Sequence, residues 1–137
     1  MPKYSLNKIV EIEGKQEIYK LEIDDSCQFD DFEREIVKRK QYEEELTSIL
    51  AHIEDFSNNK TLPEKKFKIL NKSDKKDRIK EYEFKSRNLR VYGIKAPDGQ
   101  IIIMGGYKSN QKKDLKKFRG IKSNYLETKQ NEKRKTT

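Results

Sequence analysis

The stretch that decides the fold is Glu81-Tyr82-Glu83-Phe84-Lys85, then Leu89-Arg90-Val91-Tyr92-Gly93-Ile94, then Gln100-Ile101-Ile102-Ile103-Met104 with its exit Gly105-Gly106-Tyr107-Lys108. The first two runs alternate charged with aromatic or aliphatic side chains, the period of a strand whose two faces differ. The third is nearly continuous apolar, as a central strand is. The connections Ser86-Arg87-Asn88 and Ala96-Pro97-Asp98-Gly99 are short, and the second carries the Pro, Asp and Gly of a tight turn. A three-stranded antiparallel meander is the expectation.

Upstream the period changes. Phe29, Phe32 and Ile36, then Tyr42, Leu46, Ile49, Leu50, Ile53 and Phe56, recur every three or four residues, as on helices that bury one stripe and leave Glu43, Glu44, Glu45 and Glu54 wet. The stripe is broken by Lys38-Arg39-Lys40-Gln41. One long helix with a polar waist would fit, but two helices folded as a hairpin let both stripes meet the same sheet and are the preferred reading. Asp24-Asp25-Ser26 offers capping side chains ahead of the pair. Before it, Leu6 to Ile12 and Ile18 to Ile23 flank Gly14-Lys15 and read as a hairpin at a sheet edge. After Tyr107, Leu115, Phe118, Ile121 or Lys122, Tyr125 and Leu126 form the apolar stripe of a basic amphipathic helix, with Ser109 or Asn110 as cap. Residues 128–137 hold no apolar anchor and are expected to be disordered. The fold class is α+β, a single domain over 1–127 followed by that tail.

Composition limits the function. The chain has 137 residues, 32% hydrophobic and 41% charged, with a net charge of +8. The charge is unevenly placed: residues 1–59 carry 8 basic and 15 acidic side chains, residues 60–137 carry 24 basic and 9 acidic. The second half is therefore the one suited to an anionic partner. No run approaches the roughly 20 apolar residues of a membrane span, and Met1-Pro2-Lys3-Tyr4 is not followed by the apolar core of a signal peptide. A cytoplasmic location without membrane attachment is the default expectation. One cysteine, Cys27, and one histidine, His52, cannot build the usual Cys/His zinc site. His52, between Ile49 and Ile53, reads as structural or surface.

Residues 64–80 are dominated by lysine, Lys65, Lys66, Lys68, Lys72, Lys75, Lys76 and Lys80, around the anchors Phe67, Ile69 and Leu70. They form either a solvated loop or short helix, or a rim in which Lys66 and Lys68 meet phosphates. Tyr82, Tyr92 and Tyr107 interleave with Lys85, Arg90 and Lys108, which suits stacking on unpaired bases while cations hold the backbone.

The order of these elements, with the strand Glu83-Phe84-Lys85, the strand Arg90-Val91-Tyr92 and the exit Gly106-Tyr107-Lys108 leading to Lys112-Lys113, resembles the RelE/HigB-like toxins of bacterial toxin-antitoxin modules, in particular the HigB-like branch. The resemblance spans about residues 16–127 and leaves the first strand of the hairpin as an addition. It implies an antiparallel sheet, hairpin plus meander, packed by an N-terminal helical pair, and a metal-independent, ribosome-dependent endoribonuclease that cuts messenger RNA, needs no cofactor and is held by a cognate antitoxin, expected to be a helix-turn-helix protein. Such cleavage needs a base for the 2′-hydroxyl, cations for the charge on the phosphorane and an acid for the leaving oxygen. On the resemblance, Arg90 holds the scissile phosphate, and Tyr107 and Lys108 supply stacking and proton transfer. Glu83 orients Arg90 or acts as base, and Arg87, Lys85, Tyr92, Lys112 and Lys113 contact RNA. Each has a plainer reading: Arg90 and Glu83 as a cross-strand ion pair, the lysines as solvated charges, Gly105-Gly106 as a bulge. In the RelE branch the positions of Glu81 and Glu83 carry lysines that serve catalysis, so a non-catalytic RNA-binding module, or a domain docking an acidic protein, remains a competing expectation.

Overall fold

Residues 80–85, 89–96 and 99–107 form three neighbouring strands of a larger sheet. The computed structural model of the chain describes residues 2–135, and of Lys135 the backbone alone. Its elements are β1 (Tyr4–Lys8), β2 (Ile18–Ile23), α1 (Gln28–Arg39), α2 (Glu43–Ser57), β3 (Phe67–Ile69), β4 (Lys80–Lys85), β5 (Leu89–Ala96), β6 (Gly99–Tyr107) and α3 (Gln111–Lys135). The class is α+β, and the six strands lie in the order β1-β2-β6-β5-β4-β3.

β4, β5 and β6 are the expected antiparallel meander, and β1 and β2 the expected hairpin. The sheet is nevertheless mixed and not antiparallel throughout. β2 runs parallel to β6, with Ile18 opposite Gln100 and Lys20 opposite Ile102. The two helices between β2 and the meander carry the chain across the sheet, which a parallel neighbour requires. Residues 64–80 supply a strand that the lysines concealed: β3 pairs with β4, Phe67 opposite Phe84 and Ile69 opposite Tyr82.

The polar waist is a true break. Lys40 (φ 53°) and Tyr42 (φ 68°) are left-handed, and α1 and α2 fold back as a pair. Asp24 and Asp25 do not cap α1. Both are left-handed and form the turn that closes Ile23 onto Ser26, while the cap position, Cys27, makes no side-chain capping bond. Nor do Ser109 and Asn110 cap α3, because a 3-10 turn over Lys108–Asn110 runs straight into it. The expected disordered tail is helical through Lys135. Lys129 lies over the Tyr125 ring and pairs with Glu132, and a Glu/Lys/Gln-rich sequence favours the helix once Tyr125 anchors it. Thr136 and Thr137 lie outside the described residues.

Two cores result, one on each side of the sheet. Phe29, Phe32, Ile36, Leu46, Ile49 and Ile53 of α1 and α2 pack on Tyr82, Phe84, Leu89, Val91 and Ile102. On the other side Phe118 and Tyr125 of α3 pack on Tyr92, Ile94, Ile101, Ile103 and Met104. Among the described residues no helix is long and apolar enough to cross a membrane.

Candidate nucleic-acid interface

Strand parity places the side chains of Lys68, Glu83, Lys85 and Arg90 on the α3 side of the sheet: Lys68 stands opposite Glu83 across β3 and β4, and Lys85 opposite Arg90 across β4 and β5. Arg90 is only 7% exposed and Glu83 2%. The guanidinium Nη1 donates to the carbonyls of Ser86 (2.5 Å) and Leu89 (2.8 Å), and Nε stands 3.6 Å from Glu83 Oε1. The other Glu83 oxygen accepts from Gln111 Nε2 at 2.6 Å, so the first turn of α3 sits directly over the pair. The cross-strand ion pair is the arrangement found.

Tyr92 is fully buried, its ring stacked on Phe118 at 5.5 Å, so it belongs to the α3 core and offers no face to a base. Burial first, then the carboxylates of Glu83 and Asp114, push its hydroxyl pKa far up. Tyr82, also expected to stack on bases, is buried in the core under the helical pair, and the third such residue, Tyr107, lies on the opposite side of the sheet from Arg90. Tyr92 pairs with Met104 and Gly93 with Ile102, which leaves Ile103 as the extra residue of a β-bulge. Past the bulge the parity of β6 is reversed. Tyr107 therefore points toward the helical pair, against Phe32 (6.1 Å) and Tyr42 (6.2 Å), with the Arg39 guanidinium 5.5 Å above its ring. Burial, then Glu35, raises its pKa. Gly105 and Gly106 serve this crossing. A β-carbon at Gly105 would lie 2.3 Å from the Phe32 ring, and one at Gly106 would lie 2.0 Å from Asp114 Oδ2. They admit the protein's own helices from both sides.

Arg90 and Tyr107 thus cannot hold one phosphate between them in this conformation, and the catalytic set drawn from the resemblance is divided by the sheet. The cations around Arg90 are brought together. Arg87 is exposed in the β4–β5 turn, and Lys68 and the half-buried Lys85 flank Glu83 and Arg90. Exposed Lys108 follows β6, its backbone N–H bonded to Asn88 O at 2.8 Å. Lys112 and Lys113 are exposed in the first turn of α3, and Lys112 lies two turns before Arg119 on the side that faces β4. Half-buried Lys66 takes part through its backbone, accepting from Lys85 N–H at 2.8 Å.

Three groups escaped the sequence reading. Glu45 of α2 accepts from Ser86 Oγ (2.6 Å), Asn88 N–H (2.7 Å) and Asn88 Nδ2 (2.8 Å), and so fixes the turn that presents Arg87. Partial burial alone would raise its pKa, but these hydrogen bonds hold it below the usual carboxylate range. Glu81 is buried against Arg119 (3.1 Å) and Lys122 (2.8 Å), and Lys122 also reaches Asp77 at 2.5 Å. The signal for this network was a lysine at 122 inside the apolar stripe of α3. Gln111, the third, lay among the polar residues at the start of that helix. Finally, a groove of about 990 Å³ opens between α1, the end of β6 and the start of α3, lined by Arg39, Tyr42, Tyr107, Asp114 and Lys117 among others.

No protein-family model matches the chain, and neither the curated proteins nor the solved structures yield a match.

Proposed function

We propose that the chain is a toxin of a toxin-antitoxin module, of RelE/HigB-like type, that blocks translation by acting on messenger RNA at the ribosome, with a cognate antitoxin as its partner. The observation that carries this reading is the clustering of Lys68, Lys85, Arg87 and Lys112 around Arg90, at the edge where the β4–β5 turn meets the start of α3. Cations so grouped neutralise successive phosphates of one strand. The helical pair on the far side and the Gly-Gly-Tyr-Lys exit into a basic helix agree with the resemblance.

Cleavage requires Arg90 to reach a phosphate, and here its Nη1 bonds two backbone carbonyls beneath Gln111. A second reading, RNA binding without cleavage, is favoured by the placement of Tyr107 on the opposite side of the sheet. The two separate by experiment. Induced expression of an endoribonuclease arrests growth and creates new messenger 5′ ends, and substituting half-buried Lys85 and exposed Arg87 together, Lys85→Gln with Arg87→Gln, reduces both effects. A binding module retains RNA affinity without new ends, with or without ribosomes. Neither arrest nor RNA affinity removes both readings and leaves an acidic protein as partner.

A further inference from the structure

A second pocket, on the opposite side of the sheet from Arg90, lies beyond the end of α2. It encloses about 370 Å³ and is lined by Gln16, Phe56, Phe67, Lys80, Tyr82, Lys95 and Gln100 among others. One wall is aromatic: Phe56, Phe67 and Tyr82 lie with ring centroids 5.0–5.5 Å apart, and the two phenylalanines are half-buried, tilted by 32° to each other. The other wall is cationic. Lys80 and Lys95 stand directly opposite each other on β4 and β5, an arrangement of like charges that destabilises a strand pair, and among the described residues neither has an ion-pair partner. Between the walls sits Gln100, 8% exposed, whose side-chain amide meets Gln16 Oε1 (donating at 3.0 Å) and the Tyr82 hydroxyl, while its carbonyl oxygen accepts no hydrogen bond of normal geometry. A buried acceptor left without a donor is costly, and directly opposed lysines repel each other.

One ligand answers all three features. A phosphate between Lys80 and Lys95 relieves their repulsion, a flat heteroaromatic ring packs on Phe56 and Phe67, and an exocyclic amino group on that ring donates to Gln100 Oε1 once the Gln16 side chain gives way. We infer that this pocket is a nucleotide subsite, taking a single nucleotide with an amino-bearing base. It is separate from the Arg90 cluster and goes beyond the reading above, since it would stand whether or not the protein cleaves RNA. The nucleotide comes either as a free 5′-monophosphate or as a residue of an RNA strand.

The test is titration of the full chain with AMP, CMP, GMP, UMP and inorganic phosphate, followed by the backbone amide signals of residues 80–82, 95 and 100. Saturable shifts there with the amino-bearing nucleotides are expected, with UMP and phosphate at least tenfold weaker. Lys80→Gln with Lys95→Gln, both at exposed positions, should weaken binding at least tenfold, and Lys38→Gln should leave it unchanged. Displacement of the bound mononucleotide by a short single-stranded RNA assigns the source to RNA, and its persistence assigns it to the free nucleotide. No saturable shift, binding of phosphate as tight as that of the nucleotides, or indifference to the double lysine variant overturns the inference. Growth arrest with no nucleotide binding would remove this site and leave the toxin reading in place.

Discussion

At the residue scale, Arg90 and Glu83 cannot be altered independently. Removing the guanidinium leaves a carboxylate buried at 2% exposure with Gln111 as its one remaining polar partner among the described residues, so Arg90→Ala should cost about 3–5 kcal/mol. Adding Glu83→Gln removes the stranded charge and should restore more than half of that loss. Urea denaturation of the two variants checks the pair, and a single variant as stable as the parent would show that the ion pair contributes nothing. An inactive Arg90→Ala protein is therefore informative about chemistry only beside the double variant. Glu45 offers a second residue with a clear sign. Its folded pKa is depressed by Ser86 and Asn88, so its stabilising contribution is present above the unfolded value near 4.3 and fades as pH falls through the lower folded value. Glu45→Gln should cost about 1 kcal/mol at pH 7, allowing for solvent exposure, and the difference from the parent should shrink steadily as pH falls below the ordinary carboxylate range. A gap that persists unchanged in acid would exclude the charge as its cause.

Among elements, the exit of β6 determines which residues can act together. The period-two alternation of β4 and β5 and the three-and-four spacing of α1 and α2 were readable as sequence, and the structure has both. Ile101 to Met104 carried no parity information, because every side chain in the run is apolar. The bulge at Ile103 was therefore invisible, and with it the side of the sheet on which Tyr107 lies. The parallel pairing of β2 with β6 was hidden for a related reason: periodicity reports which face a side chain takes, not which strand lies beside it. β3 was concealed because Phe67-Lys68-Ile69 is one short alternation within a lysine-rich stretch. Glycine substitutions test the crossing. Alanine at Gly105 meets the packed Phe32 ring and must displace α1, costing about 2–3 kcal/mol, whereas alanine at Gly106 meets the free end of the Asp114 side chain and should cost about 1 kcal/mol or less. Thermal denaturation should rank them in that order, and the reverse order would place the helix contact wrongly. Within α3 the contributions are also uneven. Phe118→Ala should cost about 3–4 kcal/mol, and ending the chain after Glu127 less than about 1 kcal/mol, because the removed turns bury little.

For the whole molecule, the uneven charge of the sequence becomes a direction. The acidic first half is largely the helical pair and hairpin, and the basic second half supplies the cations that gather around the start of α3. On the function proposed above, RNA should bind from that one side, with an affinity set by how many phosphates those cations neutralise together. Lys68, Lys85, Arg87, Lys108 and Lys112 are among the positions facing solvent there, Lys85 partly so. Neutralising about five phosphates of a single strand gives a slope of roughly −3.5 for the logarithm of the association constant against the logarithm of salt concentration. Arg87→Gln with Lys112→Gln should bring that slope to roughly −2, since each lost contact removes about 0.7. Substituting Lys38 and Arg34 of α1, on the other side, should leave it unchanged. Fluorescence anisotropy with a short labelled RNA between 50 and 300 mM salt reads all three slopes. Equal slopes for the parent and the Arg87/Lys112 variant would mean that the cations counted here do not meet the strand, and that the net charge of the second half acts only through its long-range field.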